Sequence, residues 1–338
     1  MSEKFKLEYC NLAKTCAMIL VVVYHCLVFW TGEWFKEPVY SCTFFAYLAQ
    51  WLNTFHIYVF VFISGYLFYF TRYEQKKYSS STKYLLSKMK RLIYPYLIML
   101  LLWGIPFFIL CTGRKNEIIE KFFYGKSPAQ YWFLLMLFWV YCIFYFISDY
   151  VKERWLLGLV VFYVIYGIAT IVMTKIPNYF QILSALKYLL FFYVGMVYRK
   201  NTFDSLCKIP CCVWMLTSII LFLGWYFLDF INLFFAKIVR IAIYPFISIS
   251  GVFMVIKGIC MINVKKLQEN KLYCFLEKYN FAIYLFHQQM VYISILWFNG
   301  KVNNIVVLLF NFLFAMVGGI IAYGFCKLAW IRKMLQVN

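Results

Sequence analysis

The sequence predicts an all-α, polytopic transmembrane helix bundle of about ten spans with both termini in the cytoplasm, and three observations carry that expectation. First, 65% of the 338 residues are hydrophobic and only 14% are charged, far less polar surface than a soluble domain of this length needs. Second, ten apolar stretches can be drawn, roughly at 12–30, 48–70, 92–111, 131–148, 155–174, 180–198, 211–228, 233–256, 281–298 and 304–326; each is about the 17–25 residues a spanning helix requires. The stretch 233–256 is the weakest, being interrupted by Lys237 and Arg240. Third, basic residues alternate between the gaps. With a cytoplasmic N-terminus the inner gaps hold 22 Lys and Arg, including the seven from Arg72 to Arg91, and the outer gaps hold 8. That is the asymmetry insertion imposes. The formal charge of +20 therefore records orientation and gives no reason to expect nucleic acid. The segment 112–130, with four basic residues, is the one outer loop that runs against the pattern.

The longest gap, 257–280, is 24 residues, too short for a second folded domain, so residues 1–338 are expected to form one membrane-embedded unit that carries the function within its helices. The basic start, MSEKFKLEYCNLAK, is like the first part of a signal peptide, but no small-residue cleavage site follows, and the segment is expected to stay as the first helix. The twelve cysteines are scattered without a C-x-x-C pair, which supports neither a zinc site nor a redox motif. Cys207, Cys211 and Cys212 cluster in a short loop placed in the cytoplasm.

Taken in order, the spans carry a small set of polar residues that lipid does not tolerate. The first, Asn11 to Trp30, holds Lys14 and His25. Ionisable groups inside an apolar span mark functional sites. Eleven residues is close to three turns, which places both on one helix face about 16 Å apart. The second span, FHIYVFVFISGYLFYF, has His56 in its outer third, at a depth similar to His25 and able to face it, and Ser64-Gly65, where a missing side chain permits close approach. Lys88, Lys90 and Arg91 run into Tyr94-Pro95-Tyr96. Proline suits the first turns of a helix, so this cluster reads as a phosphate site at a helix start, beside its role as an orientation signal. Tyr131-Trp132-Phe133-Leu134 opens the fourth span as an interfacial aromatic belt. Lys187 lies deeper than snorkelling explains, and Arg240 raises the same question; either can line a polar interior. In FAIYLFHQQMV, His287, Gln288 and Gln289 are three consecutive polar residues, at least one of which must face protein. Counted from residue 281, His287 lies about 9 Å above the inner surface.

The ordered set Lys14-x10-His25, FHIYVFVFISGYLF, KRLIYPY, YWFL, LLFFYVGMVY and IYLFHQQ resembles the acyltransferase 3 family of integral-membrane O-acyltransferases, in particular its fucose 4-O-acetylase-like branch. The match runs from about residue 9 to 290 and contains all three histidines of the chain. Two departures stand out. Lys14 occupies a place where many members have arginine, leaving a point cation where a bidentate fork is usual, and Ile57-Tyr58 replace Met-Pro. The resemblance implies a single acyltransferase domain over 1–338 and, as location, a multi-pass place in the bacterial plasma membrane. It further implies acetyl-CoA from the cytosol as donor, no permanently bound cofactor, a sugar hydroxyl of a cell-surface or lipid-linked glycan as acceptor, and His25 as the essential base.

The residues suit that chemistry. Moving an acyl group from a thioester to an alcohol requires removal of the hydroxyl proton as the oxygen attacks, and histidine titrates in the right range. His25 is thus the general-base candidate, His56 orients it or contacts the acceptor, and His287 lies on the donor's path. Ser64, Tyr66, Lys187 and Arg240 are the candidates for stabilising the oxyanion or contacting the acceptor. Coenzyme A phosphates are expected near Lys14, Lys88 and Arg91, with the thioester reaching His25. Two other readings compete. A transporter or flippase for a lipid-linked sugar also uses intramembrane cations, but favours inverted repeats with broken helices, which are not visible here; a glycan polymerase normally has a large outer loop, and the outer loops here are short.

Overall fold

The computed structural model describes residues 6–77, 80–200, 208–231 and 233–326. Lys4, Cys207, Lys327, Arg332 and Lys333 lie outside the described residues. Among the described residues the secondary structure is helical throughout, and nine helical segments are long and apolar enough to cross a bilayer. The protein is a multi-pass integral membrane protein.

The first crossing is α1 (Tyr9–Leu27). The second begins earlier than its hydrophobic pattern suggests and is broken into α2 (Thr43–Asn53) and α3 (His56–Tyr69) at Thr54-Phe55. The third also begins earlier. It is assembled from α4 (Ser81–Lys88), α5 (Tyr94–Met99) and α6 (Ile105–Thr112), joined by the wide π-turns Met89–Ile93 and Leu100–Gly104. Each π-turn precedes a proline, Pro95 or Pro106. Proline has no N–H and its ring strikes the carbonyl four residues back, so widening the preceding turn lets the helix continue. Pro95 therefore sits inside a long helix rather than in the first turns of one. The chain continues through α7 (Trp132–Val151), α8 (Trp155–Val172), α9 (Ile182–Arg199), α10 (Cys211–Phe227) and α11 (Phe234–Cys260), then the short α12 (Val264–Gln268), α13 (Lys271–Phe298) and α14 (Asn304–Cys326). The uncertain eighth span forms as a continuous helix through Pro245.

Burial sorts these helices into a centre and a rim. Along its apolar stretch α9 is 72% buried, whereas α10 is 11% buried and turns most of its surface outward. On α8, Leu156, Leu157, Val160, Val164, Ile168 and Ile171 are exposed, a face suited to lipid. The centre is formed by α1, α3, α9 and α13, with α13 running parallel to α1 and packed along it. Every histidine stands on one of these central helices.

The α3–α9 crossing is as tight as a helix pair can be. A Cβ at Gly65 would fall 1.8 Å from the Phe192 carbonyl oxygen, and one at Gly195 would fall 2.0 Å from the Phe62 carbonyl oxygen. The two glycines thus serve each other's helix, as small residues do where membrane helices pack closely. Gly195→Val should cost more than the roughly 1–3 kcal/mol of ordinary overpacking, since what it strikes is backbone. Thermal unfolding of detergent-purified protein checks this, with Gly224→Val as control because nothing lies within 4 Å of that position.

Candidate active site

Three imidazoles are each anchored by a backbone carbonyl. On α1, His25 Nδ1 lies 2.9 Å from the Val21 carbonyl oxygen. On α13, His287 Nδ1 lies 2.7 Å from that of Tyr284. His56, the first residue of α3, places Nδ1 2.8 Å from the Leu52 carbonyl oxygen across the break between α2 and α3. Carbonyl oxygens only accept, so each Nδ1 bears the proton. His287 Nε2 lies 3.1 Å from His25 Nδ1 and, with Nδ1 protonated, is the acceptor of that contact. His25 Nδ1–H is therefore shared between Val21 and His287, and His25 Nε2 keeps a free lone pair. That lone pair is what a general base uses.

Access separates the three rings. His56 is 2% exposed and His287 fully buried, whereas His25 is only half-buried. Trp34 stands beside it with ring centres 6.1 Å apart, and Tyr292 packs edge-on to Trp34 at 4.8 Å. His56 stacks on Tyr24 at 4.3 Å, one ring removed from His25. The partner His25 meets is thus His287 rather than His56. The expected depth of His287 is corrected by the length of α13, which begins at Lys271. Ten residues earlier than the apolar stretch suggests is about 15 Å of helix, enough to lift His287 from the inner margin to the middle of the bundle.

Toward the N-terminal end of α1 a cavity of about 860 Å³ opens between α1, α3, the third crossing, α7 and α13. Lys14, Ser64, Lys77, Lys88, Arg91 and Lys278 all line it. Its volume is in the range of small-molecule sites. Opposing this positive charge is Glu277, which accepts from Asn11 Nδ2 at 2.8 Å. Lys88 Nζ lies 3.7 Å from the centre of the Tyr141 ring, a cation–π contact that holds it against the wall. The cavity reaches Tyr284, one turn before His287, whose ring centre is 6.0 Å from that of the tyrosine. The helix-start reading of Lys88, Lys90 and Arg91 does not hold. With Ser81 opening the helix, these residues lie about two turns inside it, their N–H groups are engaged, and anion attraction comes from side chains alone.

The end of the cavity nearest the histidines is held by buried amides. Gln130 Nε2 donates to Gln289 Oε1 at 2.7 Å and to the Leu285 carbonyl at 2.9 Å, and Gln289 Nε2 returns a bond to Gln130 Oε1 at 3.1 Å. Tyr131 donates to Leu285 at 3.1 Å, and the Tyr284 hydroxyl donates to the Gln130 carbonyl. This mesh fixes the rotation of α13, and so of His287, against the start of α7. Tyr131, Phe133 and Leu134 are buried in the bundle rather than forming an interfacial belt, and Gln130 just before them went unnoticed in sequence. Trp34, Tyr24 and Tyr292 were also missed, since isolated aromatics in an aromatic-rich chain carry none.

Four further candidates stand apart from the histidines. The Tyr66 hydroxyl accepts from Arg199 at 2.7 Å, and Arg199 also grips Glu74 with two nitrogens at 2.7 and 2.6 Å. Ser64 lines the cationic cavity, about 12 Å of helix from His56. Arg240 pairs with Asp229 and stacks 4.3 Å from the centre of the Trp225 ring, a rim contact that explains how 233–256 carries it. Lys187 Nζ lies 5.4 Å from the Tyr244 ring centre and 5.7 Å from that of Tyr166. Among the described residues no three His, Cys, Asp or Glu side chains converge as a metal ion would require.

A family model described as an acyltransferase domain matches residues 7–324. No curated protein and no solved structure matches the chain. A match over nearly the whole length, on a helical bundle whose centre holds an accessible imidazole above a cationic cavity, leads to one conclusion: the chain belongs to the acyltransferase 3 family and is a multi-pass membrane acyltransferase.

Proposed function

We propose that the protein is an O-acetyltransferase that moves the acetyl group of acetyl-CoA to a hydroxyl of a glycan or lipid-linked sugar in the bacterial plasma membrane. The observation that carries this reading is the alignment, along α1 and α13, of a cationic cavity with the His25–His287 pair. Acetyl-CoA enters from the end of the bundle where basic residues collect, taken as cytoplasmic from the charge asymmetry. Its phosphates bind Lys14, Lys88 and Arg91, and the pantetheine arm runs toward Tyr284, over a distance comparable to the roughly 16 Å between Lys14 and His25 along the helix. The acceptor comes to the other face of His25, beside Trp34.

In the transfer, His25 Nε2 takes the hydroxyl proton while the alcohol oxygen bonds to the thioester carbonyl carbon. The carbon–sulfur bond then breaks, the thiolate leaves, and the proton passes from the imidazolium to sulfur. His287 accepts from His25 Nδ1–H throughout, holding the tautomer and sharing the positive charge that develops. Lys14 supplies a point charge to the phosphates, less directional than a guanidinium but sufficient for attraction.

The test is acetyl-CoA consumption by membranes containing the protein, with release of free coenzyme A and labelled acetate appearing on glycan. A flippase would consume none, and that outcome would reverse the reading.

A further inference from the structure

Lys187 is a cation within a membrane-spanning helix with, among the described residues, no acid paired to it. It stands in the second turn of α9, and among the described residues no carboxylate forms an ion pair with it; its neighbours are the rings of Tyr166 and Tyr244. Two arginines, one the last residue of α9 and one in the second turn of α11, show how this bundle treats a cation that serves structure. Arg199 has Glu74 and Arg240 has Asp229. A charge left without a counter-ion in an apolar setting is costly, and such residues mark substrate paths. Lys187 remains partly open to its surroundings, as do Tyr244 and Tyr24.

Its position relates it to the histidines. Arg199 closes the same helix at the basic end, and twelve residues back along α9 is about 18 Å, which brings Lys187 close to the level His25 occupies above Lys14. Tyr58 links the two regions. Its ring stacks on Tyr188 at 4.8 Å and approaches Tyr244 at 6.2 Å, and both Tyr188 and Tyr244 lie within electrostatic reach of Tyr24, which contacts His25 and His56. The result is a run of tyrosine rings leading from the Lys187 ammonium, which Tyr166 and Tyr244 flank, to Tyr24 beside His25 and His56. An ammonium recognises anionic oxygen, while the ring faces suit a sugar.

We propose that Lys187 binds an anionic group of the acceptor, so that the acceptor is a charged sugar rather than a neutral one; this rests on the acetyl-transfer reading above. Carboxylate of an acidic sugar and phosphate of a lipid-linked sugar share the required chemistry. Lys187 acts in binding, and His25 remains the group that touches the reacting hydroxyl.

The test uses the full chain in lipid nanodiscs with acetyl-CoA and three acceptors: a neutral hexose glycoside, the corresponding uronic acid, and the hexose on a polyprenyl phosphate. At least one anionic acceptor should exceed the neutral one in kcat/KM by about tenfold to a hundredfold, the usual worth of a hydrogen bond to a charged group. Which of the two wins identifies the carboxylate or the phosphate. Lys187→Met should erase the preference through the acceptor KM while leaving the acetyl-CoA KM unchanged, and Lys187→Arg should restore most of it, which also shows that the site folds. Equal use of all three acceptors, or a preference that survives in Lys187→Met, overturns the proposal. Transfer to none of the three by folded wild-type protein is a different result, and it removes the sugar-acceptor reading together with this one.

Discussion

His25→Ala is expected to lower acetyl transfer by about 10²–10⁴-fold in kcat, the range general-base catalysis contributes, with protein level near wild type. Several features single out this ring. It alone of the three imidazoles is reachable, its Nδ1 proton is committed to Val21 and His287, and its Nε2 is left to accept a proton. The Val21 carbonyl keeps its regular helical partner, but the buried His287 Nε2 loses its donor, a cost of about 1–3 kcal/mol, so the unfolding temperature should fall modestly while the fold holds. The measurement is single-turnover transfer of labelled acetyl, alongside binding of acetyl-CoA, which should be unaltered since the cationic cavity does not include His25. Full turnover in the variant would remove His25 from the reaction.

The second large effect concerns the donor. Lys14→Ala combined with Arg91→Ala should raise the acetyl-CoA KM by about a hundredfold or more, each charge-assisted contact being worth roughly 1.5–3 kcal/mol. The two residues line one cavity from different helices, so their contributions are coupled and the double variant need not equal the product of the singles. A truncated donor makes the experiment specific. Acetyl-pantetheine carries the thioester without the nucleotide phosphates and should be used equally by wild type and variant. An unchanged acetyl-CoA KM would show that the phosphates bind elsewhere.

Much of this architecture could be read directly from the chain because lipid imposes a coarse, one-dimensional rule. Apolar stretches of spanning length become helices, and polar residues inside them are few enough to stand out. Lys14, His25, His56, Lys187 and His287 were visible for that reason. The rule fails at boundaries. The second, third and ninth spans each begin before their apolar stretch does, at Thr43, Ser81 and Lys271, because helices extend into the polar margin where backbone hydrogen bonds form as readily as in lipid. That shift misplaced His287 by three turns and gave Pro95 and Arg91 a helix start they do not occupy.

Pairing was the other limit. Periodicity fixes which residues share a face of one helix, so Lys14 and His25 could be aligned on α1 from sequence. It cannot fix which helix that face meets. Two histidines at similar depth suggested His25 opposite His56. Tyr24 occupies that space, and α13 brings His287 to the ring instead.

What the amino-acid sequence determined by itself is the material: a helical membrane bundle, the few ionisable groups buried in it, and the order of motifs that resembles the acyltransferase 3 family. What only the tertiary structure decided is partnership. It gave Arg240 and Arg199 their acids and, among the described residues, left Lys187 without one, and it set Gln130 against Gln289 and His25 against His287. These choices depend on rotations and crossings of whole helices, fixed by contacts such as the backbone meeting at Gly65 and Gly195, whose partners lie far apart along the chain.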